Sequence, residues 1–131
     1  MVELSELEKA LLSSWLKETS SDPENWTPQN PAWGQCAVTA CVVQDYLSGE
    51  IVWAEVIDRG KTISHYFNKI DGIEHDLTCR QFSKGTKILE GIPKTKGLPT
   101  TRDYILSYGS TCKRYAILKD LVEDYIERHF K

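Results

Sequence analysis

The sequence has no long apolar run, no excess of basic charge and few metal-binding side chains, and each lack removes a class of function. No stretch approaches the ~20 apolar residues that a helix needs to cross a bilayer, so a membrane partner is not expected. Lys and Arg number 16 against 19 Asp and Glu, a formal net charge of −3. A nucleic-acid-binding surface draws on a basic face, so nucleic acid is not expected as a partner either. Three His and four Cys are present, with no C-x-x-C or H-x-x-x-H pair. His75 and Cys79, on one strand, would lie ~13 Å apart. No metal and no cofactor is expected.

Internal repeats and low-complexity tracts are also missing. The first eleven residues carry Glu3, Glu6, Glu8 and Lys9, unlike a secretory leader. The expected compartment is the cytoplasm, where thiols seldom pair. What remains is an ordinary globular composition, 40% hydrophobic in 131 residues. That length suits one domain over residues 1–131, able to hide roughly two-thirds of its unfolded surface.

Residues 4–18 set Leu4, Leu7, Leu11, Leu12 and Trp15 at helical spacing, with Ser5 and Glu8 in the form of a capping box. Residues 20–31 hold three prolines among turn formers and read as irregular. A nearly all-apolar helix is predicted from Cys36 to about Leu47, closed by Ser48-Gly49. Strands are predicted over 51–57, 63–70 and 73–78, the last two joined by the hairpin dipeptide Asp71-Gly72. Residues 83–100 show little periodicity, and a loop of that length invites the reading of a lid. An amphipathic helix from about Lys113 closes the chain. The order of elements predicts an α+β fold, with a buried helix packed on a small antiparallel sheet between N- and C-terminal helices.

The hairpin works as a ruler. If Ile70 faces Ile73, Phe67 opposes Asp76 and His65 opposes Thr78. Side chains alternate along a strand, so His65 and Asp76 become diagonal neighbours on one face. A carboxylate beside an imidazole fixes its tautomer and orientation, as a general base requires. The matching nucleophile is Cys36, at a helix start where backbone N–H groups and the helix dipole favour a thiolate. Cys41, Cys79 and Cys112 read as packing thiols. Trp15 and Trp53 read as core, whereas Trp26 and Trp33 lie in the approach to Cys36 as either core cover or cleft wall. Gly34 would permit close approach of a substrate. Gln29, Asn30 and Gln35 supply amides near Cys36, whose own N–H could form half of an oxyanion site.

The stretch Asn30-Pro31-Ala32-Trp33-Gly34-Gln35-Cys36-Ala37-Val38-Thr39-Ala40, with Val42-Val43-Gln44-Asp45-Tyr46, resembles the YunG-like family of small bacterial proteins. His65-Tyr66-Phe67-Asn68, Glu74-His75-Asp76-Leu77-Thr78, Arg102-Asp103-Tyr104-Ile105-Leu106 and Arg114-Tyr115 are similar to its later blocks. More distantly, the order Cys, His on a strand, Asp on the next strand resembles the core of transglutaminase-like enzymes in the papain-like superfamily. That resemblance implies a papain-like fold with Cys36 as nucleophile, His65 as base and Asp76 as orienting group.

The expected function is a cysteine hydrolase or acyltransferase acting on a peptide, amide or thioester through an acyl-enzyme. Gln29, Asn30, Trp33, Gly34 and Gln35 are its expected oxyanion and substrate-binding residues. The alternative is a non-catalytic intracellular binding protein of the same fold.

Overall fold

In the computed structural model, which describes residues 2–130, the N-terminal apolar pattern forms helix α1 (Leu4–Ser14). Its start is set by Glu3 rather than Ser5: the Glu3 N–H donates to the Glu6 carboxylate at 3.0 Å, a capping interaction one turn into the helix. The helix also stops short of residue 18. Trp15 leaves in extended backbone, and its indole N–H donates to the Thr39 hydroxyl at 2.9 Å inside the core. A single 3₁₀ turn, Lys17–Thr19, follows.

Helix α2 (Cys36–Leu47) runs as the sequence predicts, with the continuous block Val38–Val43 buried. Its near-continuous apolar content reflects burial on several sides at once. Strands β1 (Glu50–Asp58), β2 (Lys61–Ile70) and β3 (Ile73–His75) form an antiparallel sheet in the order β1-β2-β3. Ile70 pairs with Ile73, the predicted register. Asp71 and Gly72 both take positive φ, 51° and 80°, as a two-residue hairpin turn demands.

Strand β3 is shorter than expected. Asp76 ends it by accepting the Thr78 backbone N–H at 3.2 Å, a local bond that bends the chain into the 3₁₀ turn Cys79–Gln81. Its ladder therefore stops at Asn68–His75. Beyond that pair the edge of β2, at His65 to Phe67, has no strand beside it and is open to loops.

Helix α3 (Thr101–Leu106) and helix α4 (Gly109–His129) complete the described fold. Leu7, Leu11, Val42, Leu118 and Val122 join α1, α2 and α4 in one core cluster. Arg102 clamps α3 to α2 and α4: it donates to the Cys41 carbonyl at 3.0 Å and the Tyr115 hydroxyl at 2.9 Å, and pairs with Asp45 at 3.0 Å. Among the described residues, no helix is long and apolar enough to cross a membrane.

Residues 83–100 are not a free lid. Asp58 accepts from the Ser83 N–H and the Thr86 hydroxyl, each at 3.1 Å. Ile88 and Ile92 then bridge to Val56 and Trp53, while Gly91 lies so close to Val52 that a Cβ there would come within 2.4 Å of it. The segment lacks periodicity because it covers a sheet edge as single bridges rather than as a strand. Trp53 is accordingly half-buried rather than core, with the Lys94 ammonium 4.2 Å from its ring centroid.

Candidate active site

His65 is fully buried on β2, its ring stacked on Phe67 with centroids 5.6 Å apart and met edge-on by Phe82 at 4.8 Å. Its Nε2–H donates to Asp76 Oδ2 at 2.6 Å. A carboxylate only accepts, so this bond fixes the proton on Nε2. The other ring nitrogen, Nδ1, is buried and has no hydrogen-bond partner. Burial works against the charged ring. The Asp76 bond, the neighbouring Cys36 thiol and the negative charge of both outweigh it and raise the His65 pKa to about 9. Cys36 therefore lies near the ring, yet no hydrogen bond of normal geometry reaches Nδ1.

Asp76 is itself held. Its Oδ1 accepts from Thr78 N–H at 3.2 Å and from the Thr78 hydroxyl at 3.4 Å. Gln81 donates to the same hydroxyl at 3.0 Å, and its Oε1 accepts the Gly34 N–H at 3.3 Å. Asn30 Nδ2 adds a bond to the Gln81 carbonyl at 3.1 Å. A buried polar chain therefore runs from the imidazole through Asp76, Thr78 and Gln81 to the backbone two residues before Cys36. The turn that truncates β3 and the loop that precedes α2 are locked together along the open edge of β2.

Cys36 is half-buried at the first position of α2, where N–H groups lack intrahelical acceptors. The structure gives the flanking residues other duties. Gln35 is fully buried: its Oε1 accepts from Thr19 Oγ1 at 2.8 Å and its Nε2 donates to the Leu16 carbonyl at 2.9 Å. Gly34 (φ 73°) is required by its own chain rather than by a substrate, because a Cβ would lie 2.3 Å from Ser20 Oγ. The Trp33 indole donates to Asp22 at 3.0 Å. Gln29 and Asn30 line a different hollow, a cleft of about 770 Å³ between α1 and residues 74–80 that reaches Asp76 but neither Cys36 nor His65.

The remaining thiols divide differently from expectation. Cys41 is buried, and burial pushes its pKa up to about 12. Cys79 and Cys112 are exposed, Cys79 because it lies in the turn that follows Asp76. Among the described residues, no three His, Cys, Asp or Glu side chains group closely enough to hold a metal ion.

The family model described as YunG protein matches residues 3–127. The chain belongs to the YunG family. An uncharacterized protein YunG of Bacillus subtilis (strain 168) is 39% identical over 72 residues, which cover 55% of this chain and 56% of the relative. The match thus spans about half the length of that curated relative. No solved structure matches the chain.

Three residues around the candidate site escaped sequence reasoning. Thr78 and Gln81 are buried polar side chains, and a single polar letter in a turn carries no sign of burial. Arg114 had a legible signal. It lies three residues after the buried Thr111 and four before the buried Leu118, so it is a charged residue at a core-facing position of an amphipathic helix.

Proposed function

We propose that this YunG-family chain is a cysteine acyl-transfer enzyme, hydrolysing or transferring an acyl group from an amide or thioester. The observation that carries the proposal is the buried His65, bound by Asp76 through Nε2 at 2.6 Å and left with an unpartnered Nδ1, with the Cys36 thiol near enough to the ring to help raise its pKa. A buried imidazole with one nitrogen satisfied and the other empty is costly as mere packing. It suits a base whose second partner is a reacting thiol.

In this mechanism the Cys36 thiolate attacks the substrate carbonyl, forming an S–C bond while the oxygen takes the displaced electron pair. First-turn N–H groups of α2 stabilise that oxyanion. The C–N or C–S bond then breaks, and Nδ1–H of the His65 imidazolium supplies the proton to the leaving group. Neutral His65 next takes a proton from water or an amine, which attacks the acyl-enzyme and regenerates Cys36. Asp76 keeps the ring oriented throughout and offsets its positive charge.

A papain-like, transglutaminase-like core is part of the same proposal. It is supported by the order of a helix-start cysteine, a strand histidine and an aspartate just beyond the next strand. The second reading, a binding protein without catalysis, is favoured by the 770 Å³ cleft that excludes Cys36. Intact-mass analysis with small thioester and activated-amide probes separates them. The enzyme reading expects an acyl adduct on the wild type that Cys36→Ala lacks. A folded wild type that acquires no adduct from either probe class favours the binding reading.

A further inference from the structure

A partly desolvated cation normally finds a carboxylate, as the partly buried Arg102 does with Asp45. Arg114 does not. It is half-buried on α4, and no carboxylate of the described residues pairs with it. Its Nη1 donates to the Thr19 carbonyl at 3.4 Å and its Nη2 to Thr111 Oγ1 at 3.0 Å. Those two bonds use part of a five-donor fork. Thr19 in turn donates its hydroxyl to Gln35, the residue before Cys36, at 2.8 Å. The arginine is therefore tethered to the short stretch of chain that presents the thiol. Burial lowers its pKa, and the Cys36 sulfur acts in the opposite sense, consistent with the two groups being neighbours.

We propose that Arg114 is a specificity-determining residue of the Cys36 site, whose unused N–H groups receive a carboxylate carried by the acyl substrate. The planar fork matches a carboxylate in two-bond geometry, and partial desolvation strengthens the attraction over that at an open surface. The substrate class is thereby narrowed to acyl donors bearing negative charge near the reacting carbonyl. The inference rests on Cys36 being the nucleophile.

Iodoacetate and iodoacetamide differ in charge and react alike: the thiolate forms an S–C bond as the C–I bond breaks and iodide leaves. The quantity to measure is the iodoacetate-to-iodoacetamide rate ratio at Cys36, with the urea-unfolded protein as its own reference. The folded wild type is expected to raise this ratio about tenfold. Arg114→Gln removes most of that gain and Arg114→Lys retains part of it. An effect of the substitution on thiolate formation cancels in the ratio. A folded ratio no higher than the unfolded one overturns the assignment, and so does a gain that survives in Arg114→Gln, which would belong to His65. Should Arg114→Gln not fold, the wild-type ratio and a loss of the gain in Arg114→Lys at raised salt decide: a gain indifferent to salt overturns it. Failure of iodoacetamide itself to prefer Cys36 at pH 5.5 identifies the nucleophile reading as the one at fault, and the Arg114 assignment falls with it.

Discussion

His65 Nε2 and Asp76 Oδ2 lie 2.6 Å apart, although the two residues stand on either side of a hairpin turn and only one of them is in a strand. The diagonal placement follows from the Ile70–Ile73 register. The close bond needs more, because Asp76 lies just past the end of β3 and is aimed by Thr78 rather than by the ladder. The pair is thus a property of the turn after the strand as much as of the sheet.

That bond makes folding pH-dependent with a definite sign. An unfolded histidine titrates near 6.5 and folded His65 near 9. Its contribution is therefore fully present below pH 6.5 and lost as pH rises through about 9. Asp76→Asn removes the strongest group raising that pKa. We expect it to cost about 2–3 kcal/mol at pH 6 and much less at pH 9.5, measured by urea unfolding. Equal losses at both pH values would contradict the assignment.

Gln81 joins the Asp76 turn to the Gly34 backbone. Gln81→Leu keeps the volume, leaves the Gly34 N–H without its acceptor and takes from the Thr78 hydroxyl the N–H it accepts. A stability loss of about 1–3 kcal/mol is expected. Amide exchange at Gly34 should accelerate and Cys36 alkylation at low pH should slow severalfold. Unchanged exchange at Gly34 would mean that the chain of bonds does not hold this loop.

Gly34→Ala imposes two strains, a side chain at φ 73° and a Cβ 2.3 Å from Ser20 Oγ. The left-handed backbone alone costs about 1 kcal/mol, and displacing the 20–22 segment adds to it. The variant is expected to melt lower. Ser20→Gly removes the obstructing hydroxyl but also its bonds to the Trp33 carbonyl and the Asp22 N–H, so the loss caused by Gly34→Ala should be smaller in the Ser20→Gly background than in the wild type. An equal loss in both backgrounds would place the strain elsewhere.

Much of the fold could be read from local chemistry. Asp71-Gly72 permits few turns, so it set both the hairpin and the face shared by His65 and Asp76. The apolar block of α2 announced a buried helix with Cys36 at its start. Most departures come from interactions distant in sequence; the cap of α1 is a local one. Ser5 looked like a cap, but Glu3 and Glu6 make the bond. Gln35 looked like an amide offered to a substrate, but Thr19 and the Leu16 carbonyl, more than a dozen residues earlier, consume it. Residues 83–100 looked free because bonds to Asp58 and Trp53 leave no periodic trace. Polar residues whose partners are remote are the ones that a linear reading misplaces.

The most direct test of the central claim is site-resolved alkylation by iodoacetamide at pH 5.5, mapped by peptide mass spectrometry. Cys41 is shielded and its thiol pushed up to about 12, while burial and Asp76 raise that of the exposed Cys79. A thiolate held by the His65 imidazolium reacts ahead of both and of Cys112. The prediction is dominant labelling of Cys36 in the wild type and loss of that preference in folded His65→Ala. Equal labelling of the accessible thiols, or a preference that persists without His65, would contradict the account.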